Sequence, residues 1–125
     1  MIARTMAENL RFHRGITLFN GRKFFEAHEA WEEIWLAETE LEKTFLQGLI
    51  QLAAAFHHQA RGNTRGMRSL LAAGLAKLER FPANHRGIDL ANLCEAARDW
   101  AKDAGEGGRA LRKLPRIKRS KRAAR

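Results

Sequence analysis

The chain has 125 residues, a net charge of +9, a single cysteine and no valine. This length suits one domain without internal repeats, and one cysteine excludes an intramolecular disulfide framework. Lacking the usual strand-building residues and any sustained two-residue alternation, it reads as all-α.

The first helix is expected over residues 5–20, with Met6, Leu10, Phe12 or His13, Ile16 and Phe19 inward, ending at Gly21 in the left-handed position that follows many helices. Residues 1–14, MIARTMAENLRFHR, hold no apolar run of the kind a signal peptide needs, and the expected location is cytoplasmic. The second helix, about residues 23–38, carries FFEAHEAWEEIW. At about 100° per residue, Glu26, Glu29 and Glu33 share one side. His28 and Glu32 fall on the other, among Phe24, Phe25, Trp31, Trp35 and Leu36. Residues 38–40 form the connection.

The third helix is predicted over residues 44–60, which contain no charged side chain. It is short for a membrane span, and its glutamines and histidines argue against lipid. A central helix buried on most sides explains it better. Phe45, Leu46, Leu49, Ile50, Leu52, Ala53 and Phe56 make a wide apolar arc that includes His57. Gln47, Gln51 and His58 form a polar stripe. Gly62 ends this helix, and Asn63 or Thr64 caps a fourth with Met67, Leu70, Leu71, Gly74, Leu75 and Leu78 inward. Residues 82–88 read as a loop. Asp89 caps a fifth helix whose inner face is Leu90, Leu93, Cys94, Ala97, Trp100 and Ala101. The expectation is a helical domain over residues 1–105: about five helices around the uncharged segment 44–60, with short connections favouring antiparallel neighbours. Cys94 reads as a small core residue.

The basicity is an appendage. Arg109, Arg112, Lys113, Arg116, Lys118, Arg119, Lys121, Arg122 and Arg125 occur with no acid, leaving 14 basic residues against all 14 acidic ones in residues 1–108. After the glycine-rich break at 105–108, residues 106–125 read as a flexible or weakly helical tail interrupted by Pro115. Such a tail suits non-specific contact with nucleic acid or another anionic partner. It lacks the aromatic residues of a base-stacking platform.

Three chemistries suit His28 and Glu32, whose i,i+4 spacing lets their side chains meet. As metal ligands for a divalent ion they would need a third group such as His57 or His58. Neither HExxH nor paired Glu-x-x-His motifs are present. As an acid–base dyad, Glu32 would fix the tautomer of His28, yet Ser69, Thr39 and Thr44 sit in no nucleophile motif. As a structural pair, the two would lock helix register by bonding each other and a glutamine of the third helix. Trp31 and Trp35 could wall a pocket. His13 and His85 read as surface or loop residues.

FNGRKFFEAHEAWEEIW followed by FLQGLIQLAAAFHHQARGNTRGMRSLLAAGLAKLE resembles the prokaryotic family called domain of unknown function 309, over about residues 17–100. The resemblance lies in His28, Glu32 and Trp35 on one helix, then Gln47, Gly48, Gln51 and His57 on the next, with Asn63 and Gly66 in the turn. It implies an all-helical domain with a central helix, and no activity. The expected pocket is lined by His28, Glu32, Trp35, Gln47, Gln51 and His57 and binds a small ligand or metal, with acid–base chemistry as an extension. The competing expectation is an interaction module whose tail meets an anionic partner.

Overall fold

The computed structural model describes residues 4–105 and 113–120. Thr5 starts helix α1 (Met6–Asn20) with a capping box: its hydroxyl accepts from the Glu8 amide at 3.0 Å, and the Glu8 carboxylate accepts from the Thr5 amide at 2.9 Å. The end of α1 departs from expectation. Gly21 keeps a negative φ, and Arg22 takes the left-handed position at φ 68°, while the Lys23 amide reaches back to the Leu18 carbonyl at 2.8 Å. The motif is the expected one, shifted by one residue onto an arginine.

Helix α2 spans Phe24–Trp35 and α3 spans Glu40–Ala60, capped by the Thr39 hydroxyl. The third helix thus begins one turn before residue 44 and includes Glu40, Glu42 and Lys43. Helix α4 (Thr64–Leu78) follows Gly62, which is left-handed at φ 80°, and is capped by the Asn63 side chain. The segment expected as a loop holds a hairpin, β1 (Asn84–His85) and β2 (Ile88–Asp89), whose two-residue turn places Arg86 and Gly87 at φ 50° and 80°. Both central residues being left-handed, this is a primed turn, which suits the twist of paired strands. Asp89 then caps α5 (Leu90–Gly105) through the Asn92 amide at 3.0 Å.

Helix α3 is the centre. From Glu42 to Gln59 no residue is exposed. It packs on both α2 and α4, and its Phe56 ring meets Trp100 of α5 edge-on at 5.5 Å. The tightest approach is to α4: a methyl group placed on Gly74 would lie 2.9 Å from the Gly48 carbonyl, and one on Gly48 would lie 2.7 Å from Leu78. These two glycines let the backbones approach to contact. A comparable fit joins α1 and α2, where the Trp31 indole lies against Gly15 and donates to the Phe12 carbonyl at 3.1 Å.

Two inward assignments on α1 need correction. Met6 and Leu10 are 75% and 62% exposed; the buried stripe runs through Phe12, Gly15 and Phe19. Contact with α2 selects that stripe, because only there does Gly15 leave room for Trp31.

The basic segment over 113–120 is neither helical nor loose. It is an extended strap with Pro115 and Ile117 buried and Lys113, Arg116, Lys118 and Arg119 exposed. Asn20 bonds the Ile117 backbone twice, accepting from its amide at 2.7 Å and donating to its carbonyl at 2.9 Å. The Trp100 indole donates to the Lys113 carbonyl at 3.0 Å. Asp89 and Ser120 amides complete a short ladder to the Lys118 and Gly87 carbonyls, at 2.8 and 3.0 Å. Few apolar side chains suffice because main-chain groups supply the rest of the attachment. Arg109, Arg112, Lys121, Arg122 and Arg125 lie outside the described residues.

Two outcomes follow from this packing. Gly74→Ala should lower unfolding stability by about 1–3 kcal/mol, because the added methyl meets backbone that cannot rotate away; chemical denaturation measures it. Asn20→Ala should cost about 2 kcal/mol by stranding two backbone groups of Ile117, and hydrogen exchange at the Ile117 amide should accelerate more than exchange within α3.

Candidate functional site

The buried arc of α2 is Phe24, Ala27, Ala30, Trp31 and Ile34, centred nearer the small alanines than the aromatic bulk. His28 and Trp35 therefore lie at the margin, while Phe25 and Leu36 are exposed. The Glu32 side chain is 56% exposed. The expectation that His28 and Glu32 both sit on a buried face is corrected accordingly: they border an open seam between α2 and α3.

That seam opens into a cleft of about 320 Å³ lined by Glu32, Trp35, Leu36, Gln47 and Ile50. Trp35 is fixed at its edge, with its indole donating to the Lys43 carbonyl at 3.2 Å and the Lys43 ammonium 4.7 Å from the ring centroid. Further along α2, His28 Nε2 lies 3.4 Å from Glu32 Oε2, and the His28 ring stacks on Phe25 at 5.8 Å. Phe25 in turn meets His57 of α3 at 5.4 Å, so an aromatic side chain stands beside each histidine. His28 Nδ1 is buried and has no hydrogen-bond partner among the described residues.

The structure divides the expected pocket. Glu32, Trp35 and Gln47 share the cleft, with His28 reaching Glu32 from one turn earlier. Gln51 faces α4 instead, accepting from the Lys77 ammonium at 3.0 Å. His58 is occupied as well: because Asn63 Oδ1 accepts from the Gly66 amide, its Nδ2 donates to His58 Nδ1 at 3.1 Å. Among the described residues no three histidine, cysteine or carboxylate side chains form a group able to hold a metal ion, so His28, Glu32 and His57 do not make a three-ligand set. Thr44 donates to the Glu40 carbonyl, Thr39 caps α3 and Ser69 points outward on α4, which leaves the cleft with acceptors and an aromatic wall.

Sequence reasoning missed the densest polar cluster. His85 Nε2 lies 2.7 Å from Glu42 Oε2, and the Arg86 guanidinium reaches Glu38 at 3.0 Å and Glu42 at 3.5 Å. Arg4 bridges the same two carboxylates at 2.9 and 3.3 Å. Arg86 Nη2 contacts Glu38 as an ion pair but outside hydrogen-bond alignment, which leaves that nitrogen unsatisfied as a directed donor. The Arg86 side chain is only 7% exposed and lies 4.3 Å from the Phe12 centroid. Burial pushes its pKa below the usual arginine value; nearby Arg4 adds to this, and the two glutamates oppose it. His85 packs its ring on Phe45 and Phe81 at 4.6 and 4.9 Å. The available sequence signal was Arg86-Gly87, a turn pair whose first residue pays a left-handed backbone cost unless its side chain is anchored.

The cluster ties Arg4, the α2–α3 connection, the first turn of α3 and the hairpin together, and each side chain in it lies against at least one partner. It reads as a structural lock. Arg86→Ala should cost about 3 kcal/mol, since it strips a buried cation from two carboxylates. Arg86→Gly should cost about 1 kcal/mol less, because it relieves the left-handed residue while losing the same ion pairs; paired denaturation curves separate the two contributions.

Two curated relatives are similar to the chain, each described as an uncharacterized protein. Uncharacterized protein YpuF of Bacillus subtilis (strain 168) is 38% identical over 69 residues, 54% of this chain and 38% of the relative. An uncharacterized protein of Aquifex aeolicus (strain VF5) is 34% identical over 76 residues, 60% of this chain and 23% of the relative. The chain therefore spans well under half the length of the curated relatives it matches. Residues 12–70, just under half of the chain, match the family model described as a domain of unknown function (DUF309), and this stretch contains α2, α3 and the cleft between them.

Proposed function

We propose that the α2–α3 cleft binds a small molecule with an apolar body and one or more hydrogen-bond donors, an amine being the simplest case. The observation that carries this reading is the meeting of Glu32, Trp35 and Gln47 in one cleft with Leu36 and Ile50. Apolar walls with a few convergent polar groups are the usual make-up of a ligand site. Glu32 offers an accessible carboxylate to a donor or cation, Gln47 offers an amide, and Trp35 supplies a rigid wall. His28 lies one turn along the same helix, its Nε2 3.4 Å from Glu32 Oε2. Acid–base chemistry by His28 and Glu32 extends this reading and needs a substrate that brings its own reacting group.

A second reading takes the strap as a contact for nucleic acid or another polyanion. It is favoured by one observation: Lys113, Arg116, Lys118 and Arg119 are all exposed on a segment whose backbone is tied down, so four cations stand in a fixed row.

The cleft reading is tested by titrating the protein with aliphatic and aromatic amines while following amide and indole NMR signals. Saturable shifts should centre on Glu32, Trp35 and Gln47. Glu32→Gln should weaken binding about tenfold, the loss of one charge-assisted contact, whereas Gln51→Ala should leave affinity unchanged. Shifts confined to other surfaces, or an unaltered affinity in Glu32→Gln, would remove the cleft from consideration.

A further inference from the structure

A second cleft, of about 210 Å³ and more enclosed than the first, lies between α1, the hairpin turn and the strap. Its polar lining includes His13 and Thr17 from α1 and Lys118 and Arg119 from the strap. Ile16, Ile88 and Ile117 supply apolar surface, and among the described residues no carboxylate lines it. We propose that this cleft binds the phosphoryl group of a small phosphorylated molecule. The inference depends on strap docking and on neither reading of the preceding section.

The first support is the make-up of the lining. His13, Thr17, Lys118 and Arg119 make no side-chain hydrogen bond or ion pair with any described residue. Asn20, the remaining polar side chain of the lining, is fully engaged by the backbone of Ile117. Among the described residues, two cations, an imidazole and a hydroxyl therefore surround one concavity with no anion beside them.

The second support is placement. Lys118 and Arg119 are consecutive, and their backbone is held by the Asp89 amide on Lys118 and by the bridge between Arg119 and Ile88. Their starting points are fixed before a ligand arrives, which lowers the ordering cost of binding. Apolar surface beside them weakens screening by water and strengthens attraction to an anion.

Geometry also selects the ligand class. A carboxylate has two oxygens, while a phosphoryl group presents three acceptor oxygens and up to two charges, a better match to donors on two opposed elements. The space equals roughly seven waters' share of liquid volume, enough for a phosphoryl group and part of a small carrier. A polyanion would instead follow the exposed row and engage Lys113 and Arg116, which do not line the cleft.

The site exists only while the strap is docked, because the strap carries both cations. A ligand bound there must stabilise docking by linkage. The test uses the full chain with inorganic phosphate and phenyl phosphate as probes, benzoate as the carboxylate control and a single-stranded oligonucleotide as the polymer. The expected result is saturable NMR shifts at His13 and Thr17 with both phosphates, weaker or none with benzoate, and slower hydrogen exchange at the Asp89 and Ser120 amides. The double variant K118A/R119A should lose at least about tenfold in affinity, and His13→Ala should also weaken binding; replacing Lys113 and Arg116 by alanine should change little. Ile117 amide protection in the free variants reports whether the strap still docks, and if K118A/R119A releases it, His13→Ala decides. Absence of saturable phosphate binding, unchanged affinity in His13→Ala, or binding of the oligonucleotide alone with dependence on Lys113 and Arg116 overturns the proposal.

Discussion

Helix α3 is covered from Glu42 to Gln59, so the polar side chains on that stretch call for partners from other parts of the chain. Glu42, in the first turn, draws in Arg4, His85 and Arg86. Gln51 takes Lys77 from α4, and His58 takes Asn63 from the turn that follows. Gln47 instead lines the cleft at the seam with α2, and His57 meets Phe25 there. The cleft is in this sense a remainder: among the described residues the Gln47 side chain has no hydrogen-bond partner on either helix.

The core itself was legible because its pattern is redundant. Residues 44–60 contain no charge, and the inward residues of α4 and α5 recur with regular helical spacing, so several positions agree on each buried face. The same redundancy failed on α1 and α2, where each inner face depends on small residues. Gly15, Ala27 and Ala30 are buried because neighbouring helices come close, and a reading weighted by large side chains moved the apolar faces toward Met6, Leu10, Phe25 and Leu36. That displacement put Glu32 on the wrong side of the line between core and solvent. Of the expected pocket, the i,i+4 meeting of His28 and Glu32 was readable from spacing alone; the partner of Gln51 was not, since it depends on how α4 crosses α3.

Long-range polar matches were the least legible. Nothing local to Glu38, Glu42, His85 or Arg86 announces that they assemble, and Asn20 meets Ile117 across most of the chain. The strap illustrates the difficulty: its composition suits a solvated tail, but an indole, a carboxamide, a backbone amide and a backbone carbonyl elsewhere each have a bond to offer it. Composition describes what a segment can do for itself, not what the rest of the fold can do for it.

The Asn20–Ile117 contact joins residues 97 positions apart, whereas α3 and α4 are joined by a three-residue turn. Loop-closure entropy makes the second association cheap and the first expensive. The α3–α4 hairpin is accordingly the natural nucleus of folding, with the strap closing only after α1, the β-hairpin and α5 have created its berth. Run in reverse, the strap's attachment is the first expected to open, ahead of the packed helices. How firmly the basic segment stays seated is set by a handful of bonds rather than by a core of its own.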